Sequence, residues 1–354
     1  MTASSGSGTT GVGDRGLDVE DLRERVDGLA RQALGGGIDA VERMAGGASG
    51  LTFRAEVQAP DAVTPVILKV APPGLMPVRN RDVLRHARAM SALAGTPGVR
   101  VPRILFTDAG DPPDLPPLYA MSFEPGDCIE PIFDHGPLPG PDEVGGRMVA
   151  AARMMAGLHA LDVSAPGLEG EPVIGLEAEV GRWVRAFGTV PDELKGRADE
   201  ATELLLAAVP APLPPVLVHG DYRLGNMLAR GREVTSIIDW ELWAVADPRL
   251  DLGWFLLHHD TAGNPHQRRP APGMPSVDEL VAVYETAAGR AVSDLPWFHA
   301  LARFKQAAAG ALLLKRSPVA QEDPTAWQDG ARRIRAEVED AIALLEAVPG
   351  GRSR

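Results

Sequence analysis

The chain has 354 residues, 45% hydrophobic and 23% charged, the balance of an ordinary globular protein. Its formal net charge of −13 argues against nucleic acid as a main partner, and no apolar stretch approaches the ~20 residues needed to cross a bilayer. One cysteine, Cys128, excludes an internal disulfide and a cysteine-based zinc site, and the opening MTASSGSGTTGVGDRG lacks a basic-then-apolar leader, so a cytoplasmic setting is expected.

Residues 1–16 are rich in Gly, Ser and Thr and are expected to form a disordered tail. Asp18 then opens a helical pattern with Leu22, Val26, Leu29, Ala33 and Leu34 on one face, stopped by Gly35, Gly36 and Gly37. Leu51, Phe53, Ala55 and Val57 alternate with Thr52, Arg54, Glu56 and Gln58, the period of a half-buried strand. PVILKVA (65–71) reads as a more fully buried strand, Arg79 to Ala94 as a helix, and PRILFT and PLYAMSF as two further strands. Residues 17–120 are therefore predicted to form a small lobe built on a mostly antiparallel sheet.

Glu124-Pro125-Gly126 marks a change of character, and 121–126 reads as a hinge. Residues 127–349 are predicted to form a larger, mainly helical lobe. Glu143–Leu161, Leu176–Phe187, Asp192–Val209, Val277–Ala287, Leu295–Leu314 and Ala326–Val348 all carry helical spacing, separated by Pro-rich connections at 131–141, 210–215 and 265–275. Within this lobe only Val216 to Ile238 reads as strands. The fold class is thus α+β with two lobes.

Three segments carry the chemistry. In GGASG (46–50) glycines permit a tight turn whose N–H groups can hold phosphate oxygens, although the segment matches neither the Walker pattern nor GxGxxG and also fits a plain hairpin turn. Lys69 places an ammonium inside the apolar run VILKVA, where it either snorkels to water or meets a counter-charge such as phosphate. The third segment is LVHGDYRLGNML (217–228) with SIIDWELWAVADPRLDLGW (236–254). It sets Asp221 five residues before Asn226, with Asp239 thirteen further on at the end of an apolar strand. An amide and a carboxylate are ligands of the kind Mg²⁺ accepts, and a separate carboxylate can orient and deprotonate a hydroxyl.

HGDYRLGN, followed by IIDWE and DPRLD, resembles the aminoglycoside phosphotransferase-like family of small-molecule kinases, relatives of the protein-kinase fold, over roughly Met44 to Ala347. The wording is most similar to the kinase-like domains found with acyl-CoA dehydrogenases and to their stand-alone bacterial relatives. The resemblance implies a bilobal protein-kinase-like fold. It makes Asp221 the catalytic base and His219 the brace of its loop, with Asn226 and Asp239 as Mg²⁺ ligands. Lys69 is then the lysine on the α- and β-phosphates, Ser49 and Gly50 lie in the phosphate-covering loop, and Met121 to Phe123 form the hinge that meets adenine. Asp247 and Asp251 match acids that anchor the following helix and loop.

The expected activity is transfer of the γ-phosphate of ATP (GTP stays open as donor) to a hydroxyl of a small molecule: an aminoglycoside-type antibiotic, a hydroxyacyl thioester or another metabolite. The short interval from Asp239 to Asp247 leaves no activation segment for a protein substrate, and neither nucleic acid nor membrane is an expected partner. One departure stands out. The family's glutamate on the helix after the lysine strand is replaced by His86, with Asp82 one turn earlier as a substitute, so a catalytically weak nucleotide-binding regulator is the alternative. A metal-dependent hydrolase built on His219, Asp221 and Asp239 lacks the further ligands it needs. The His258-His259-Asp260 run with His266 is set aside as a metal site. Trp240, Trp243 and Trp254 read as core or pocket wall, and Arg182, Arg185, Arg268 and Arg269 are the basic residues available to an anionic acceptor.

Overall fold

Asp18 accepts hydrogen bonds from the Glu20 and Asp21 amides, and Gly35 ends the same helix in a left-handed conformation at φ 72°, so helix α1 (Val19–Leu34) is bracketed by the residues that bracket its pattern. The structure is a computed structural model and describes residues 17–44, 50–134, 136–259 and 270–347. The chain divides into two units. The first holds the described residues up to Ala94 with Val101–Glu124 and Asp239–Leu242; the second holds Gly95–Arg100, Pro125–Ile238 and the described residues from Trp243 on.

In the first unit, α1 is followed by β1 (Gly37–Arg43), β2 (Leu51–Ala59), β3 (Ala62–Val70), α2 (Val83–Leu93), β4 (Ile104–Asp108) and β5 (Leu118–Ser122). The strands form one antiparallel sheet in the order β1-β2-β3-β5-β4. Phe53, Ala55 and Val57 of β2 and Val66, Leu68 and Val70 of β3 share one face, where Leu22, Val26 and Ala30 of α1 close the core. The other face carries Thr52, Ile67, Lys69, Tyr119 and Met121 in cross-strand register, and α2 packs against β4 and β5. The helix predicted from Arg79 starts later. Arg79 sits at φ 56° in a short 3-10 turn, and Asp82 caps α2 by accepting from the Arg85 amide at 3.1 Å.

The second unit is mainly helical: α3 (Pro141–Leu158), α4 (Leu176–Phe187), α5 (Asp192–Lys195), α6 (Ala198–Ala207), α7 (Arg249–Leu257), α8 (Val277–Ala288), α9 (Leu295–Arg316), α10 (Pro318–Glu322) and α11 (Pro324–Glu346). The pattern over Asp192–Val209 splits into α5 and α6 because Gly196 takes φ 55°, ψ −129°, a conformation open in practice only to glycine. Asp323 and Pro324 likewise start α11 afresh after α10. Strands extend beyond the predicted stretch. A hairpin of β8 (Met227–Arg230) and β9 (Glu233–Ile237) lies within it, while β7 (Val216–Val218) pairs with β10 (Ala244–Ala246), which pairs in parallel with β6 (Val173–Ile174). Helices α4, α6, α9 and α11 enclose the main core around Trp183, Phe187, Phe298, Phe304 and Ile342. Helix α7 has almost no exposed face, its residues from Leu252 to Leu257 all being buried. Among the described residues no helix is long and apolar enough to cross a membrane.

Candidate functional site

In the first unit, Lys69 of β3 lies directly opposite Thr52 and Tyr119, on the face away from the α1 core. Among the described residues no carboxylate is in ion-pair contact with it. His86 of α2, only 4% exposed, stands near instead. Burial first, then the charges of Lys69 and Arg85, bring its imidazole down to about 3, so the ring is neutral at physiological pH. One ring nitrogen bonds the Asn80 backbone, while Nε2 has no partner among the described residues. Asp82 does not replace the missing glutamate, because its carboxylate is engaged in capping α2.

Asp239 follows β9 at φ 65°, a left-handed conformation that costs a non-glycine residue energy. Its charge reaches Tyr119: burial and then Asp239 push that hydroxyl's pKa up. Gly50 precedes β2 where a Cβ would stand 3.0 Å from the Val70 carbonyl, a tight approach to the end of β3. Met121 is buried in β5 opposite Ile67, and Phe123 is exposed, with the Arg54 guanidinium 5.3 Å from its ring centre. Ser49 lies outside the described residues, as do Asp260, His266, Arg268 and Arg269.

In the second unit the loop from β7 to β8 is tied down at several successive residues. Asp251 of α7 accepts from the consecutive amides of His219 (2.6 Å) and Gly220 (2.8 Å). Burial works against its charge, yet His159 and His219 and the loop amide hold its carboxyl below the usual range. His219 turns its own ring back on the loop: Nδ1 accepts from the Asp221 amide at 3.2 Å, and Nε2 lies 3.0 Å from the Ile238 carbonyl. The Tyr222 hydroxyl donates to the Ala151 carbonyl of α3 at 2.7 Å. Asp247 has a separate task, accepting from the Leu213 amide and from Arg249.

The Asp221 carboxylate carries a donor on each oxygen. Trp254 Nε1 donates to Oδ1 at 2.7 Å and Asn226 Nδ2 to Oδ2 at 2.7 Å; the same amide group also donates to the Asp221 carbonyl at 2.9 Å. Burial would raise this carboxyl, but the cations of Arg223 and Lys305 prevail and bring it down to about 2. Asn226 is thereby oriented with its amide nitrogen spent and its oxygen left as the group able to meet a cation. Arg223 also reaches Glu130 at 3.5 Å, and Glu130 accepts from the Gly225 amide at 3.0 Å. Burial pushes the Glu130 carboxyl up to about 7 against those two partners.

The motifs themselves do not mark the partners of this loop. Trp254 is a direct partner of Asp221, not simply a wall. Lys305 of α9 lies over the Trp254 ring, 3.8 Å from its centre, and Glu130 holds the far side of the loop. A signal existed for two of them, since Lys305 interrupts the alanine-rich middle of a helix and Glu130 stands between apolar neighbours. His258, in contrast, is a buried neutral residue whose Nδ1 bonds the Trp254 carbonyl at 2.8 Å. Among the described residues there is no group of three His, Cys, Asp or Glu side chains able to hold a metal by themselves.

The fold recurs in solved structures. A provisionally named aminoglycoside phosphotransferase from Ralstonia eutropha JMP134 matches at a TM-score of 0.71 and 23% identity, covering 91% of this chain and 98% of that one. A thermostable mutant of aminoglycoside phosphotransferase APH(4)-Ia, in ternary complex with ADP and hygromycin B, matches at 0.57 and 13% identity over 92% and 99%. Macrolide 2'-phosphotransferase MphH from Brachybacterium faecium gives 0.56 and 21% over 88% and 98%. The bilobal, protein-kinase-like α+β class is therefore that of this chain. Among curated proteins, probable acyl-CoA dehydrogenase IBR3 of Arabidopsis thaliana is 28% identical over 287 residues, 73% of this chain and 33% of the plant protein. Human acyl-CoA dehydrogenase family member 11 is 27% identical over 256 residues, 68% of this chain and 32% of its own length. The chain thus spans about a third of these longer relatives. The profile of the phosphotransferase enzyme family matches residues 40–289, well over half the sequence, and the chain belongs to that family.

Proposed function

We propose that this phosphotransferase moves the γ-phosphate of ATP to a hydroxyl of a small molecule, with Mg²⁺ as its cofactor. The observation that carries the reading is the paired geometry of Asp221 and Asn226, one carboxylate fixed at both oxygens by an amide and an indole. A carboxylate held near 2 is a weak base. What Asp221 supplies is therefore mainly orientation of the acceptor hydroxyl, with its proton taken late, as a loose phosphoryl-transfer transition state allows.

Asn226 Oδ1 and the Asp239 carboxylate are the proposed Mg²⁺ ligands, and their chemistry fits: two oxygen donors of the kind Mg²⁺ takes together with phosphate and water. When bound, Mg²⁺ would neutralise charge on the β- and γ-phosphates. Lys69 is assigned to the α- and β-phosphates, Ser49 and Gly50 to the covering loop, and the Met121–Phe123 backbone to the adenine. His219 holds the loop that carries Asp221.

Candidate acceptors are an aminoglycoside-type antibiotic, a hydroxyacyl thioester or another hydroxylated metabolite; the acyl-CoA dehydrogenase relatives support testing the thioester early. GTP belongs in the same trial as an alternative donor. His86 beside Lys69 favours a second reading, a nucleotide-binding regulator with little turnover. An ATP-consumption screen across the three acceptor classes, with mass spectrometry of products, separates the two. A phosphorylated product supports the enzyme; tight ATP binding with no turnover on any acceptor or on water supports the regulator.

A further inference from the structure

We propose that Lys305 is a positioning residue for phosphoryl transfer, acting through the Gly220 carbonyl and the Trp254 indole to fix the Asp221 carboxylate. The inference rests on the phosphotransferase reading. Lys305 lies in the middle of α9, where its neighbours Leu301, Phe304, Ala307, Ala308 and Ala311 belong to the core. An ammonium in such a place needs partners. It donates to the Gly220 carbonyl, and its Nζ lies 3.8 Å from the centre of the Trp254 ring and 5.6 Å from that of Trp183.

Both partners lead to Asp221. Gly220 adopts φ 79°, which turns its carbonyl in a direction unsuited to other residues, and its amide is held by Asp251 at 2.8 Å. Gly220 is thus gripped on both sides, its N–H by the Asp251 carboxylate and its C=O, in the peptide unit that leads into Asp221, by the Lys305 ammonium. Trp254, under that ammonium, donates to Asp221 Oδ1 at 2.7 Å. Lys305 thus touches both the Gly220 carbonyl and the indole.

Lys305 faces Asp221 on the loop, Glu179 and Arg182 on α4, and Asp251 on α7; His258, just after α7, also feels its charge. Burial lowers its pKa to about 8, with Asp221 and Glu179 opposing that fall. Loss of the proton leaves a neutral amine, a weaker donor to Gly220 with no cation for the indole face. Turnover should then decline as pH rises through about 8.

The test compares wild type, Lys305→Met and Lys305→Arg in ATP turnover with water as acceptor, reading kcat and KM for ATP across pH. A second measurement labels the lysine Cε atoms with ¹³C; only four lysines occur in the sequence, so the Lys305 signal is assigned by its loss in Lys305→Arg. Expected are a kcat lower by about 10- to 100-fold in Lys305→Met with KM for ATP little changed, since a displacement of about an ångström at a reacting group has that effect. Lys305→Arg, always charged, should recover part of the rate and lose the alkaline decline. The Lys305 signal should titrate near 8, well below an ordinary lysine.

Wild-type kcat in Lys305→Met, or an alkaline limb unmoved in Lys305→Arg, overturns the proposal while the phosphotransferase reading stands. If Lys305→Met does not fold, the arginine variant and the NMR titration decide, and a Lys305 signal titrating with the other lysines counts against it. A wild type that binds ATP but turns it over with neither water nor any of the three acceptor classes removes the phosphotransferase reading, and this proposal with it, although the NMR titration still reports the buried ammonium.

Discussion

Trp254 donates its indole N–H to Oδ1 of Asp221 at 2.7 Å. With Asn226 on Oδ2, the carboxylate cannot rotate without breaking a hydrogen bond to a charged group, an interaction of about 1.5–3 kcal/mol. Trp254→Phe keeps an aromatic ring under Lys305 and removes only the donor and some volume. Its kcat should fall roughly tenfold, the low end of that energy, with KM for ATP unchanged. Steady-state kinetics would decide, and a drop confined to KM would detach Trp254 from Asp221's task.

Asp221→Asn preserves shape while removing the charge that Arg223 and Lys305 face. Phosphoryl transfer should drop by about 10²–10⁴, the range for losing a positioned acid–base group. Nucleotide binding, followed by isothermal titration with ATP and Mg²⁺, should hardly change. Wild-type turnover in this variant would falsify the assignment of Asp221.

Asp239→Asn should weaken nucleotide binding strongly when Mg²⁺ is present and little when it is chelated, because the lost charge acts through the ion. Titrations with Mg²⁺ and with EDTA measure the difference directly. Equal losses under both conditions would take Asp239 out of the metal site.

His86 predicts a pH dependence of stability. Its pKa is about 3 in the folded protein, against 6.5 for an ordinary histidine. The unfolded chain therefore binds a proton that the folded chain refuses between those values, so stability falls as pH drops from 6.5 toward 3. His86→Gln removes that proton and should make acid destabilisation shallower, by at most about 1.4 kcal/mol per pH unit. Urea unfolding midpoints at a series of pH values give the slope, and parallel curves would show that His86 is not the group. The same shift means that an activity loss near pH 6.5, which an ordinary histidine facing Lys69 would cause, is not expected.

Much of the architecture was legible because local signals agreed with the tertiary outcome. Asp18 and Gly35 bracket α1, and the alternation from Leu51 to Val57 is the burial pattern of β2. Legibility ended where burial removed the pattern. Helix α7 shows a nearly unbroken apolar run with no polar face to set a period. Strands β6 and β10 are two and three residues long, too short for any alternation to register. At the site, motif spacing named Asp221, Asn226 and Asp239. The partners of Asp221's oxygen and of Gly220's carbonyl come from α7 and α9, and no spacing encodes which indole or ammonium will arrive there. Asp82 illustrates the reverse: helical spacing made it a substitute partner for Lys69, but its position at the start of α2 gave the carboxylate to the backbone first.

The β8–β9 hairpin has a consequence for how far apart the two motifs can lie in sequence. Met227 pairs with Ile237, Arg230 with Glu233, and the Ile238 amide returns to the Asn226 carbonyl at 2.9 Å. The interval from Asn226 to Asp239 is therefore a contour length, out along one strand and back along the other. Adding or deleting one cross-strand pair changes it by two residues and leaves both ends where they were. A single-residue change would slip the register and turn the buried Val234 and Ile237 outward, unless a bulge absorbed it, as one already does between Leu228 and Ala229. Insertions made at the Gly231 turn should accordingly be tolerated in even steps, with odd steps surviving only where a new bulge forms.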